Sequence, residues 1–530
     1  MRACRWAAVA LLGLAVGCSS PDESPDPTDT SVDVVEPRPI PPTEAPHLVF
    51  RDITAWAGLD FPGNATATGA SFIDLDGDGD DDLLIGGPEG THVLHNRGDG
   101  SFERGQVIDA DPPMVHTYGI ELTGDDRMDV LLIHELGAEV WQNTAEGLVS
   151  RRDILLFEDL VLQPGVATFG AFGPSGHDLF LGRSVIKDDG NSEPTGPQGE
   201  EIAAPDALFR RASGSFADVT EAVGLALDPL NTLSAMTVDL DDDGLLDLII
   251  GTQHDVPDRY LKLGADGRFA DAGELWGLVN PMDIPLASTS AMGFDAADVD
   301  GDGDLDLYLT DDNPAYGDRL YLKGDDGKFH YATVSAGLED TRVGVGWGVG
   351  LHDFDHDGDV DLFVANGRRF YPADVSGPEQ ENTFFHGDGA GHFERVSPPG
   401  GSGLEAIEQS FGAVFSDIDN DGDIDVLIQN ANKAPTLLRN DGASGNWLQL
   451  ELRHPTLRPA VGAIVTATVG PTITRRWVKG TPSFGGSSSE VVHFGLGEAS
   501  EATVSVRWPD GTVSPDTVLK TNQRHILKPQ

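Results

Sequence analysis

A nonapeptide of the form D-x-D-x-D-G-x-x-D occurs five times in the chain, at 74–82, 239–247, 298–306, 353–361 and 417–425. Two degenerate copies fill the gap between the first and the second, at 121–129 and 170–178. The seven starts lie 47 to 69 residues apart, the spacing of propeller blades. Each acidic copy is followed by an apolar run that reads as a strand: Leu83-Leu84-Ile85, Leu248-Ile249-Ile250, Leu307-Tyr308-Leu309, Leu362-Phe363-Val364 and Val426-Leu427-Ile428. Farther on comes a Gly-containing hairpin turn with a Phe, such as Gly98-Asp99-Gly100-Ser101-Phe102. Arg97-Gly98-Asp99 belongs to that turn chemistry. Most units end in a further strand near a Gly-Leu pair, as in 216–225 and 329–338. The last unit lacks this strand, and a spare copy, 50–59, precedes the first. Residues 48–59 are thus expected to complete the seventh sheet and close the ring without an open edge. The fold class expected is all-β: a seven-bladed β-propeller with calcium-binding loops plus a small C-terminal β-domain.

The acidic copies need a reason beyond turn formation. Side chains at positions 1, 3, 5 and 9 place carboxylates round one point, position 7 offers a backbone carbonyl, and Gly at position 6 permits the sharp bend. The candidate ligands are Asp74, Asp76, Asp78, Asp80 and Asp82, followed by Asp239, Asp241, Asp243, Leu245 and Asp247. The third and fourth sets are Asp298, Asp300, Asp302, Asp304 and Asp306, and Asp353, Asp355, Asp357, Asp359 and Asp361. The fifth is Asp417, Asp419, Asp421, Asp423 and Asp425. An all-oxygen set rich in carboxylate suits Ca²⁺, so about five ions are expected, each tying two strands. Asp and Gly also make good metal-free turns, which is the bland alternative. An EF-hand would need a Glu at position 12, where Ile85, Ile250, Leu309, Val364 and Ile428 stand instead.

These units resemble the FG-GAP or VCBS-type repeats of integrin α-subunit propellers and secreted bacterial proteins. The resemblance spans 48–445 and implies calcium at the five intact loops. Residues 446–530 alternate like strands and carry nine Lys+Arg against six Asp+Glu. The segments Asn446-Trp447-Leu448, His493-Phe494-Gly495-Leu496-Gly497 and Val506-Arg507-Trp508-Pro509-Asp510-Gly511 resemble the ASPIC/UnbV domain. That domain follows such propellers in cartilage acidic protein-like proteins. The stretch 480–489 is rich in Gly and Ser and lacks the Tyr-Leu-Ser common there.

The N-terminal end reads as an address. Arg2, Arg5 and an apolar run lead to Leu14-Ala15-Val16-Gly17-Cys18, which resembles a bacterial lipobox. Residues 1–17 are then a lipoprotein signal peptide, Cys18 the lipidation site, and 18–47 an acidic, Pro-rich tether. The expected location is exported and membrane-anchored through lipid alone, on the periplasmic or cell-surface side of an outer membrane. The remaining cysteine, Cys4, lies inside the signal, so no disulfide braces the mature chain.

With 34 Lys+Arg against 88 Asp+Glu, the net charge of −54 argues against nucleic acid as a partner. No nucleophile–base signature stands out, so enzymatic activity stays open with a binding role favoured. The loops opposite the acidic turns carry recognition-type residues: His254, Asn313, Tyr316, Arg368, Arg369 and Tyr371. They would contact a protein or glycan ligand. Two alternatives remain at this stage: a polysaccharide-cleaving enzyme with its site at the channel mouth, and a scaffold in a surface complex.

Overall fold

The computed structural model of the chain describes residues 43–530 except 45–47, 60–68, 88–89, 109–113, 135–136, 156, 159–163, 174–175, 184–204, 213–214, 227–229, 253–255, 280–289, 312–316, 340, 342–343, 368–379, 398–402, 405–406 and 432. Residues 1–42, and with them Cys18, lie outside the described part.

Each repeat folds as an antiparallel sheet of four strands taken in sequence. The first comprises Ala70–Ile73, Asp82–Gly87, Gly90–Asn96 and Phe102–Ile108. The fourth comprises Thr232–Val238, Asp247–Thr252, Arg259–Leu263 and Phe269–Asp271. The fifth is built alike from Ala291–Ala297, Asp306–Asp311, Arg319–Lys323 and Phe329–Tyr331. Seven such sheets are present among the described residues. Their first strands adjoin one another in chain order, and that of the seventh, Ser410–Ser416, meets that of the first. The result is a closed β-propeller.

Closure is made by the spare strand. Phe50–Asp52 pairs antiparallel with the last strand of the seventh sheet, Phe50 opposite Asn440 and Asp52 opposite Leu438. Thr43–Glu44, expected within the tether, adds in parallel to the outer edge of the sixth sheet. The Gly-Leu segments are strand only in their first half. After three or four paired residues the chain makes one helical turn, ended by a glycine at positive φ such as Gly224 or Gly337. The Leu that follows is buried.

First and second strands are buried along almost their whole length, as the near-continuous apolar runs require. The core is therefore a set of layers between neighbouring sheets. Phe294, Leu307 and Trp276 pack with Ile249 and Tyr260 between the fourth and fifth; Phe363 and Phe384 pack with Phe50 and Phe415 between the sixth and seventh.

Residues 446–530 form a β-domain of two sheets. One orders Val492–Gly495, Trp447–Leu452 and Gln523–Leu527; the other orders Thr472–Trp477, Ile464–Val469, Glu501–Arg507 and Thr517–Lys520. Its core, including Trp508, Leu448 and Phe494, is continuous with the layers between the second, third and fourth propeller sheets. The domain is fused to the propeller, with no linker between them.

Candidate metal centres and the capped face

All five acidic nonapeptides adopt one loop, set by two backbone positions. Gly at position 6 has positive φ in every copy, from 87° at Gly244 to 101° at Gly358 and Gly422. Position 4 does too, although Gly77, Asp242, Gly301, His356 and Asn420 stand there. Asn and Asp tolerate this region better than other side chains, because a short polar group can bond locally. The position-1 carboxylate accepts the N–H of the position-6 glycine, as in Gly303 to Asp298 (3.1 Å) and Gly358 to Asp353 (3.0 Å). Asp at position 5 accepts from position 7, as in Asp304 to Asp302 at 2.8 Å. These bonds hold the loop while turning carboxylate oxygens inward. Oxygens of Asp74, Asp76 and Asp78 lie within 4.8 Å of one another, as do those of Asp239, Asp241 and Asp243 and those of Asp298, Asp300 and Asp302.

The position-9 aspartate has a second task. Asp306 accepts from the amide of Val299 in its own loop (2.9 Å) and from that of Lys323 in the third strand (2.8 Å). Asp247, Asp361 and Asp425 make the equivalent pair of bonds. It is thus a clamp between strands as well as a carboxylate at the ion position. In the absence of an ion, burial pushes Asp82 up to about 7 and Asp247 and Asp306 up to about 8. Asp361 and Asp425 rise well above the ordinary carboxylate range for the same reason.

One position was not legible in the sequence. Opposite each position-9 aspartate stands a third-strand residue whose side chain reaches the loop: His95, Lys262, Leu322, His386 and Arg439 in the five intact units. His95 lies 3.2 Å from Asp82, and His386 lies 3.1 Å from Asp355 and 3.4 Å from Asp357. Hydrogen bonds to these two aspartates lift His386 to about 11. With Asp76 and Asp82, and with Asp355 and Asp357, the two histidines complete groups close enough to hold an ion. In the degenerate units the same position fills the turn. Gln142 bonds Asp125 at 2.9 Å, and Arg210 bonds Asp178 at 2.9 Å.

Buried carboxylate oxygens without a partner test whether a cation fits. Asp353 is 1% exposed and Asp417 is 4% exposed, yet Oδ1 of each has no hydrogen-bond donor, and the same holds for Oδ1 of Asp419 and of Asp241. An ionised oxygen buried in this way is costly unless a cation faces it. Hard oxygen donors in a tight loop suit Ca²⁺. The residues at 74–82, 298–306, 353–361 and 417–425 fit such an ion. At 239–247 the carboxylates already hold side-chain cations: Lys262 bonds Asp241 and Asp243, and Arg507 bonds Asp239 (2.9 Å) and Asp242 (3.0 Å).

Arg507 comes from the C-terminal domain, which lies over the acidic face. Arg475 donates to the carbonyl of Gly303 (2.7 Å), and Arg524 to that of Gly79. Arg458 reaches the carbonyl of Asp126, Gln449 bonds Asp417 (2.7 Å), and the amide of Gly497 bonds the His356 carbonyl. The Trp447 ring lies against Gly422. The basic residues of this domain thus meet the acidic turns.

From the domain, residues 480–489 enter the channel along the propeller axis. Gly480 exchanges backbone bonds with Thr237, and its carbonyl accepts from the Thr168 hydroxyl. Ser483 bonds the Phe294 carbonyl through its amide and the Ala413 carbonyl through its hydroxyl. Ser487 pairs with Ala70 and Phe72, and Ser489 with Phe415. The Phe484 ring meets Trp347 (5.1 Å) and His116 (5.5 Å) beside an apolar floor of Met292, Val345 and Phe411. Burial holds His116 down at about 4. The six ligand-contact candidates, His254, Asn313, Tyr316, Arg368, Arg369 and Tyr371, lie outside the described residues.

A ring of four-stranded sheets with acidic turns on one face, capped by a fused β-domain, defines a β-propeller architecture with acidic loops. The chain is an FG-GAP-repeat protein ending in an ASPIC/UnbV domain. The FG-GAP-like repeat family matches residues 74–132, 239–309, 298–364 and 353–428, and the ASPIC and UnbV family matches 454–530. The chain is similar to cartilage acidic protein 1 of Mus musculus, 23% identical over 519 residues that cover 88% of this chain and 75% of that protein. It is likewise similar to cartilage acidic protein 1 of Homo sapiens, 22% identical over 517 residues that cover 88% and 73%. A solved Agrocybe aegerita lectin, titled for recognition of non-reducing terminal N-acetylglucosamine, superposes at TM-score 0.39 with 19% identity, covering 64% of this chain and 83% of its own. No helix among the described residues is long and apolar enough to cross a membrane.

Proposed function

We propose that the chain is a calcium-braced binding protein of the cell envelope, anchored by lipid at Cys18. Seven blades present a protein or glycan ligand site on the face opposite the acidic turns. The observation that carries this reading is the cap. With residues 446–530 seated on the acidic face and 480–489 filling the channel, the opposite rim is left for recognition. The filled channel weighs against a polysaccharide-cleaving site on the axis, because His116 and the surrounding strands are packed against Phe484. Calcium is supported by the orphaned oxygens of Asp353 and Asp417 and by the loop geometry.

The test is a glycan array and a surface-protein pull-down with the full chain in calcium. Retention of one ligand class without product supports the reading; released oligosaccharide would replace it with the hydrolase. Retention should drop at least tenfold in an Arg368→Ala/Tyr371→Ala variant that melts like the parent. For the anchor, Cys18→Ala should move the protein from the membrane fraction to the soluble one.

A further inference from the structure

We propose that the loop 239–247 takes its cation from the chain itself, through Lys262 and Arg507, and holds no metal. The inference rests on the calcium reading of the other acidic loops. Each of the three carboxylates that would gather an ion here bonds a side-chain cation through its Oδ2, and only Oδ1 of Asp241 is left buried without a donor. Lys262 Nζ bonds Oδ2 of Asp241 and, at 2.6 Å, Oδ2 of Asp243. Arg507 Nη2 holds Oδ2 of Asp239 at 2.9 Å. A divalent ion would have to displace both, or sit beside an ammonium and a guanidinium that remain charged at any physiological pH.

The other loops make the contrast. At 298–306 the third-strand position is Leu322, which offers no charge, and no side-chain cation among the described residues bonds Asp298, Asp300 or Asp302, although Arg476 of the cap acts on Asp298 from a distance. At 74–82 and 353–361 it is a histidine, whose neutral form can itself ligate a metal. At 417–425 it is Arg439, which among the loop's carboxylates reaches Asp419 alone, at 3.4 Å, and leaves Asp417 and Asp421 without a bonded side-chain cation. The cap follows the same division. Arg475 and Arg524 take the backbone carbonyls of Gly303 and Gly79 and leave the carboxylates free, whereas Arg507 takes carboxylates.

Two departures within the copy agree. Asp242 is the one acid at position 4 among the five, and it receives Arg507 at 3.0 Å. Position 7 is Leu245, where each of the others has Asp. The fourth sheet thereby shares the device of the third, in which Arg210 from the corresponding strand position fills the turn by bonding Asp178. The loop becomes an electrostatic joint between propeller and cap that needs no calcium.

Counting bound calcium on the full chain by equilibrium dialysis with labelled Ca²⁺ decides it. Asp241→Asn with Asp243→Asn should leave the number of ions per chain unchanged, while Asp300→Asn with Asp302→Asn should lower it by one. A loss of one ion from the first pair overturns the inference and leaves the calcium reading intact. A parent chain that binds no calcium refutes that reading and this inference with it. The reverse variant, Lys262→Leu with Arg507→Gln, should gain one ion. An unchanged count in that variant, with a parental circular dichroism spectrum, also overturns the inference, and it decides the matter should the Asn pair fail to fold.

Discussion

Stripping calcium should invert the pH dependence of stability. The perturbation acts on the position-9 aspartates of the four loops read as calcium sites, Asp82, Asp306, Asp361 and Asp425, each at most 1% exposed. Without an ion, burial raises Asp82 to about 7 and Asp306 to about 8, with Asp361 and Asp425 well above the ordinary value. Unfolded, such a carboxyl titrates near ~4. The folded pKa is raised, so the metal-free fold binds protons that the unfolded chain has released. The stabilisation is complete below about pH 4 and is lost as pH rises towards about 8. Each group contributes a slope of about 1.4 kcal/mol per pH unit inside that window.

Between about pH 5.5 and 7.5 the Asp306 clamp therefore loses about 3 kcal/mol and the Asp82 clamp about 2 kcal/mol, with Asp361 and Asp425 acting in the same direction. Unfolding entropy near 2 cal/mol/K per residue makes the first two alone a fall of about 5 °C in Tm for a chain of this length. With calcium bound the sign reverses, because a cation holds the carboxylates ionised and protons compete with it. The assay is thermal melting by near-UV circular dichroism across that pH range, with excess EDTA or with saturating calcium at fixed ionic strength. Relief of the large negative charge on acidification adds to both samples alike, so the difference between the two slopes is the readout. Equal slopes, or an EDTA sample that melts like the calcium one at neutral pH, would refute the reasoning.

Two further substitutions test the cap. Arg458→Ala strands the nearly buried Glu490 and leaves Glu451 with Arg453 alone; the loss expected is about 3–5 kcal/mol by urea unfolding, and a loss below about 1 would mean that Glu490 finds water. Phe484→Ala leaves a gap against Trp347 and His116 and should lower stability by about 2–4 kcal/mol, with faster hydrogen exchange along Ser410–Ser416; unchanged exchange there would show that the channel segment is not packed as described.

What the sequence disclosed followed from spacing. The nonapeptide, the blade interval and the orphan strand at Phe50–Asp52 are local patterns, and the sheets follow them in chain order. The third-strand partners escaped because nothing local marks them. His95 lies 13 residues beyond Asp82 and His386 lies 25 beyond Asp361, while residue type varies from His to Lys, Leu and Arg. The Gly- and Ser-rich stretch 480–489 looked blank for a different reason. It is composed of what the channel admits: a Cβ at Gly486 would run into the Ala70 carbonyl and one at Gly480 into that of Phe169, and the serines replace backbone bonds that the inner strands cannot give one another. The Gly and Ser content is a packing requirement of the channel.

The seat of the cap also ties its position to the loops beneath it. Arg475 docks on the carbonyl of Gly303, and the amide of that same glycine is held by Asp298, the first carboxylate of the loop. An ion drawn to Asp298 would therefore fix the peptide plane that presents the acceptor. The amide of Gly358 is likewise held by Asp353, beside the His356 carbonyl that receives Gly497. Arg507 needs no such arrangement, since it binds the carboxylates themselves. Chelation should consequently loosen the cap over the fifth and sixth sheets while the fourth still holds, so the domain would tilt about that joint before it separates.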